Sequence, residues 1–170
     1  MTEASEPISD AWREYHAGEL DQSEAICLRL LDQGQAACAD ALFLLGLIDH
    51  QRGRPQQVVE HLLRLVKLRP DYAEAHNNLG NALARLGRLR EAEASFREAL
   101  RHKPNYAEAH NNLGNALRDQ RRFDESAASL RRALESRPGY AEAHNKAKPP
   151  AREKNYSSRH TPCAVTLSVP

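Results

Sequence analysis

The sequence predicts an all-α fold, a right-handed α-solenoid of antiparallel helix pairs, and three observations carry that prediction. Residues 72–83 read YAEAHNNLGNAL, residues 106–117 repeat the same letters, and a third copy begins at Tyr140 as YAEAHN. Pro70, Pro104 and Pro138 precede these blocks at intervals of 34. Between the prolines, apolar residues recur with a period near that of a helix turn, as amphipathic helices require. Self-similarity at this spacing marks a stack of supersecondary units in which each covers the apolar face of its neighbour.

In chain order, residues 1–38 are read as a degenerate repeat or a pair of capping helices, since Gly18 lies 35 before Gly53 and a unit can begin near Ile8. The repeats proper occupy 39–145, with units starting at Ala39, Ala73, Ala107 and a truncated one at Ala141. In the unit from Ala73, Leu79, Leu83 and Leu86 mark one face of a first helix, and Gly87 ends it. Leu89, Ala92, Phe96, Ala99 and Leu100 mark a second, which stops before Pro104. The small residues Gly80, Ala92 and Ala99 let the two helices approach closely. Asp71 with Glu74, and Asn105 with Glu108, have the spacing of a capping box. After Asn145 the expected Asn-Leu-Gly becomes Lys146-Ala147-Lys148, then Pro149-Pro150, which terminates a helix. Residues 146–170 lack periodicity and are read as a disordered tail. The loss of a full following unit leaves Leu130, Ala133 and Leu134 candidates for partial exposure and self-association.

A 34-residue helix-turn-helix with Leu79, Gly80, Ala92, Phe96, Ala99 and Pro104 at these positions resembles the tetratricopeptide repeat. The unit from Ala107 matches at Leu113, Gly114, Leu117, Ala133 and Pro138, and departs at Ser126 and Leu130. The unit from Ala39 matches at Leu45, Gly46 and Pro70, with Val58 and Leu62 at the other key sites. More narrowly, AEAHNNLGNAL is similar to the repeats that precede the catalytic region of O-linked N-acetylglucosamine transferases and their bacterial relatives. The resemblance implies a protein- or peptide-binding scaffold whose first helices line a concave face.

At about 100° per residue, Glu74, Asn77, Asn78, Asn81 and Arg85 fall opposite Leu79 and Leu83, with Glu108, Asn111, Asn112, Asn115 and Asp119 as counterparts. Each asparagine costs a helix roughly 0.5–0.7 kcal/mol relative to alanine, so such a stripe is a candidate functional surface. An asparagine offers both a donor and an acceptor and can pair with peptide backbone regardless of side-chain sequence. The candidate peptide-binding residues are therefore Asn77, Asn78, Asn81, Arg85, Asn111, Asn112 and Asn115. The transferase resemblance carries backbone contact to Asn78 and Asn112, with Asn81 and Asn115 in support. The alternative is that the asparagines bond between neighbouring repeats or face water. In the unit from Ala39 the stripe becomes Asp40, Phe43, Leu44, Leu47, His50 and Gln51, an apolar patch expected to lie under the helix carrying Trp12 and Tyr15. A carboxylate clamp of the kind used by chaperone adaptors is disfavoured, because Glu74, Glu108 and Glu142 stand where it needs lysine.

Composition restricts the function classes further. The chain of 170 residues has 24 basic and 23 acidic residues, a net charge of +1, so no overall basic excess points to nucleic acid or an anionic membrane. The balance is a sum of unlike parts: residues 1–145 hold 19 basic and 22 acidic groups, and 146–170 hold five and one. No run of apolar residues is long enough to span a bilayer. Cys27, Cys38 and Cys163 form no CxxC pair and suit a reduced, cytoplasmic setting. No P-loop, GxGxxG, HExxH or GxSxG motif is present, so neither catalysis nor a cofactor is expected. His76, His110 and His144 recur every 34 residues. Equivalent positions of packed helices lie roughly 8–10 Å apart and zinc ligands sit ~2 Å from the metal, so these are packing positions and no metal is expected. The sequence thus predicts a non-catalytic scaffold for a protein or extended peptide, with no small-molecule substrate. The alternatives are the substrate-recognition arm of a glycosyltransferase whose catalytic domain is not in this chain, and a self-assembling unit.

Overall fold

The computed structural model describes residues 6–34 and 38–138. The unit expected from Ala141, the tail from Lys146 onward, and with them Glu142, His144 and Cys163, lie outside the described residues. Eight helices occupy the described residues: α1 Glu6–Ala17, α2 Leu20–Asp32, α3 Cys38–Gln51, α4 Pro55–Leu68, α5 Ala73–Arg85, α6 Leu89–His102, α7 Ala107–Asp119 and α8 Phe123–Ser136. Each odd helix pairs with the even helix after it, and each even helix packs on the next odd one. α5 also touches α7, and α1 touches α3, so the odd helices are neighbours along one side of the stack.

The turn inside each pair is built the same way. The N–H of Gly87 bonds to the carbonyl of Ala84 and that of Arg88 to Leu83, both at 2.9 Å, the double bond that closes a helix on a left-handed residue. Gly87 supplies that residue at φ +74°. In the turn between α7 and α8 the place belongs to Arg121, at φ 62°, with the N–H of Arg121 bonded to Arg118 and that of Arg122 to Leu117. A side chain in this region is strained. Arg121→Gly is therefore expected to stabilise the fold by about 0.5–1 kcal/mol, the relief of strain being partly offset by the flexibility glycine adds to the unfolded chain. A thermal melt would register a midpoint a few degrees higher; an unchanged or lower midpoint refutes the assignment of strain.

The capping boxes expected at Asp71 and Asn105 do not form. α5 and α7 start one residue later than those boxes require, with Tyr72 and Tyr106 at the cap and no side-chain cap bond. The glutamates expected to close the boxes reach forward instead. Glu74 pairs with Lys103 and Glu108 with Arg137, each at 2.8 Å, so each unit is tied to the end of its own second helix by the same ion pair one repeat apart. The Lys103 ammonium holds the Glu74 carboxyl below its ordinary range.

A second tie is buried. Glu93 on α6, with a side chain only 7% exposed, accepts from Gln120 at 2.9 Å and from Arg122 at 2.7 and 2.8 Å, and also pairs with Arg97. Gln120 and Arg122 belong to the turn between α7 and α8, so one carboxylate fixes that turn onto the preceding unit. Burial pushes the Glu93 carboxyl upward, but the two donors and the charges of Arg97 and Arg122 outweigh it and hold the group below its ordinary value.

Within each of the last three pairs a glycine of the first helix faces a large residue of the second. A β-carbon on Gly80 would lie 2.5–2.9 Å from three atoms of the Phe96 ring, one on Gly46 would lie 2.9 Å from Leu62, and one on Gly114 would lie 2.8 Å from Leu130. In the last pair Ser126, standing where alanine is expected, donates to the carbonyl of Gly114 at 2.7 Å. The N-terminal pair repeats this detail: Ser23 donates to the carbonyl of Ala11 at 2.8 Å, 35 residues before the Gly46 position. α1 and α2 thus pack in the register of a repeat.

The main core joins α3 to α7 through Leu42, Val58, Leu62, Leu65, Leu79, Leu83, Phe96, Leu113 and Leu117. A second cluster joins α1 and α2 to the other flank of α3 through Ala11, Cys27, Leu30, Ala41, Leu44, Leu45 and Ile48. α3 is accordingly apolar on both flanks. The patch anticipated on α3 lies partly under α1: Trp12 and Phe43 have ring centroids 6.5 Å apart, and Gln51 donates to the Tyr15 hydroxyl at 2.8 Å. Leu130 and Ala133, expected to be partly bare, are buried, and of that trio only Leu134 is half-buried. Close seating of Leu130 on Gly114 accounts for the difference.

Candidate functional site

Along the odd helices two adjoining clefts share His50 and Asn81 as walls. The smaller, of about 70 Å³, runs between α3 and α5 and is lined by Leu47, His50, Asn78 and Asn81. The larger, of about 310 Å³, continues between α5 and α7 and is lined by Asn81, Arg85, Asn112, Asn115 and Asp119, among others. Helix geometry produces this alignment, because residues four apart on one helix stack on one face and the repeat sets the next helix beside it.

Five of the seven residues singled out in the sequence line these clefts: Asn78, Asn81, Arg85, Asn112 and Asn115. Asn77 and Asn111 do not. They are 5% and 2% exposed and lie inside the stack rather than on its surface. Asn77 accepts a hydrogen bond from the Asn112 amide at 3.0 Å, an asparagine pair that joins α5 to α7. For Asn77 the bonding is between repeats, as one reading of the stripe allowed. The residue one repeat beyond Asn112 is Lys146, outside the described residues, and the buried Oδ1 of Asn111 has no partner.

Asn115 differs from Asn111 in that it lines the cleft. Its Oδ1 is buried and has no hydrogen-bond partner. A buried acceptor left unmade is costly, and here it stands beside Asn112, Asn81 and Asn78, which bring further amide donors and acceptors to the same channel. The channel can therefore pair with backbone N–H and C=O groups of an extended chain laid along it. Its charged residues are of mixed sign, Arg85 sharing the larger cleft with its own repeat counterpart Asp119, so no single charge dominates.

His50 and Leu47 belong to the same stripe but lie outside the asparagine pattern, from which the unit starting at Ala39 departs. The signal that finds them is register: Leu47 stands 34 before Asn81.

Other reactive groups lie away from the clefts. Burial pushes the Cys27 thiol up to about 12, with Glu24 adding to the effect, which leaves it inert as a nucleophile. Asp49 on α3 is buried and pairs with His61 on α4 at 3.1 Å, a contact that lines neither cleft. His76 and His110 are packing residues whose Nε2–H donates to the carbonyls of Pro70 and Pro104, at 2.8 and 2.9 Å.

Comparison with known proteins agrees with this architecture. Residues 78–141 match a family described as tetratricopeptide repeat, and residues 46–87 match one described as TPR repeat. Among solved structures, the MamA protein superposes with a TM-score of 0.79 at 22% identity, covering 86% of this chain and 80% of that one. YrrB, described as a TPR protein with an unusual peptide-binding site, superposes with a TM-score of 0.74 at 21% identity, covering 84% of this chain and 73% of its own. At these identities the likeness is one of fold. A mutant O-GlcNAc transferase from Thermobaculum terrenum matches at 30% identity and a TM-score of 0.62 over 66% of this chain, which spans 22% of that enzyme's chain.

Proposed function

Because the chain belongs to the tetratricopeptide-repeat family, we propose that it is a non-catalytic scaffold that holds an extended peptide in the channel along its first helices. The observation that carries this reading is the row of Asn78, Asn81, Asn112 and Asn115 along the walls of the two adjoining clefts. Asn78, Asn81, Asn112 and Asn115 pair with peptide backbone, while Arg85 and His50 meet side chains. Asn77 and Asn111 serve the stack rather than the ligand. A reduced, cytoplasmic setting is supported by the free thiols of Cys27 and Cys38. Among the described residues no helix is long and apolar enough to cross a membrane.

The test begins with peptides selected from a random extended library on the wild-type chain. Their affinity for an Asn78→Ala, Asn112→Ala double variant is expected to fall about tenfold to a hundredfold, at roughly 1 kcal/mol per lost bond. Helicity by circular dichroism should persist. Equal affinity in a fully helical double variant sinks the proposal. A second reading, supported by the match to the transferase, is that the same channel selects acceptor proteins for a glycosyltransferase catalytic domain. An in-frame catalytic domain in the flanking DNA favours it, and an unrelated gene there rejects it.

A further inference from the structure

A third cleft, of about 680 Å³, lies away from the asparagine channel, between α6, the loop before α7 and α8. Its walls include Leu100, Pro104, His110, Leu113, Glu135 and Ser136. The repeat shows what this space accommodates. One unit upstream, the imidazole of His102 at the end of α6 stacks on His76, with ring centroids 6.0 Å apart and planes 13° from parallel. His76 is fixed for that contact by its bond to the Pro70 carbonyl, and His110 makes the same bond to Pro104. The ring is posed alike in both units, but the residue 34 after His102 is Ser136, which has no ring to place on it.

His110 carries a second mark of an incomplete contact. It is 6% exposed, and its buried Nδ1 has no hydrogen-bond partner. Since Nε2–H is committed to the Pro104 carbonyl, Nδ1 of the neutral ring is a lone-pair acceptor and needs a donor. Burial favours that neutral form. Arg97 at the rim is engaged by Glu93. Arg132 and Glu135 there are of opposite sign, so the rim does not select an ion. The fitting group is a flat ring with apolar edges to lie against Leu100 and Leu113, and the in-plane lone pair of Nδ1 is left to a donor on the segment that brings it.

We propose that this cleft is a binding seat for an imidazole ring brought by another molecule, a histidine side chain of a partner, occupying the place that His102 fills from within the chain one unit upstream. The seat is independent of the asparagine channel, and either can stand without the other.

Methylimidazole titrated into the full chain, with ring-labelled histidines followed by NMR, tests the seat. A saturable shift of the His110 ring signals is expected, retained in Ser136→Ala and lost in Ser136→His, where the chain's own ring fills the space. Three results would overturn the proposal: no saturable shift at His110, an undiminished shift in Ser136→His, or the same saturable shift produced by methylguanidinium, which would mean that charge rather than an imidazole ring is recognised.

Discussion

Phe96→Ala is expected to lower the unfolding free energy by about 3–5 kcal/mol, since Phe96 is the largest fully buried side chain among the described residues. Phe96 is 1% exposed and sits in the core that joins α3 to α7, with its ring against the bare Cα of Gly80. Truncation leaves a void between α5 and α6 that rigid, neighbouring helices close only in part. The same contact predicts an unusual coupling. In the wild type, Gly80→Ala gains about 1 kcal/mol of helix propensity, but it drives a methyl into the ring and costs about 1–3 kcal/mol overall. In the Phe96→Ala background that methyl enters the void, and Gly80→Ala should become stabilising. Urea denaturation of the four proteins in this cycle gives the answer, and additive effects would mean that the two sites do not touch in the way described.

Glu93→Ala is expected to cost about 2–3 kcal/mol at neutral pH, as the loss of several charge-assisted bonds to one buried carboxylate. The cost stays below that of stranding a fully buried ion because Arg97 and Arg122 are partly exposed and regain water. The pH dependence has a definite sign. The Glu93 carboxyl is held below its ordinary value of 4.5, so its contribution is complete above that value and disappears as the pH falls through the lowered one. Melting curves of the wild type and Glu93→Ala should therefore converge in acid and separate toward neutrality. A gap that is constant across this range would show that the carboxylate is not held by its donors.

Much of this architecture is legible in the sequence, because Gly and Pro punctuate it every 34 residues and the apolar period between them is helical. The least visible turn is the one at Arg121, where an arginine takes a backbone conformation that a search for glycine passes over. The caps fall one residue later than the sequence spacing suggests, because Glu74 and Glu108 fit the capping interval while their side chains pair with Lys103 and Arg137. The asparagines show a deeper limit of a helical wheel. It has one reference face, whereas a first helix inside a stack meets its own second helix, the second helix before it and the first helices on either side. Asn77 and Asn111 are opposite one of these surfaces and against another. Asn78, Asn81, Arg85, Asn112 and Asn115 lie where the wheel puts them, on the cleft walls. The His110 cleft is not legible from one unit alone. It emerges only when Ser136 is set against His102 in the fold.

The two-sided apolar character of α3 limits how the molecule can be dissected. The tidy place to cut, by periodicity, is just before Cys38, yet a fragment beginning there bares Ala41, Leu44, Leu45 and Ile48 together. Such a piece keeps its main core but turns an apolar flank of α3 toward water. Any shortened version made for crystals or for grafting must carry α1 and α2 along, so the part of the chain that least resembles the repeats is the part that lets the rest be handled as a separate object.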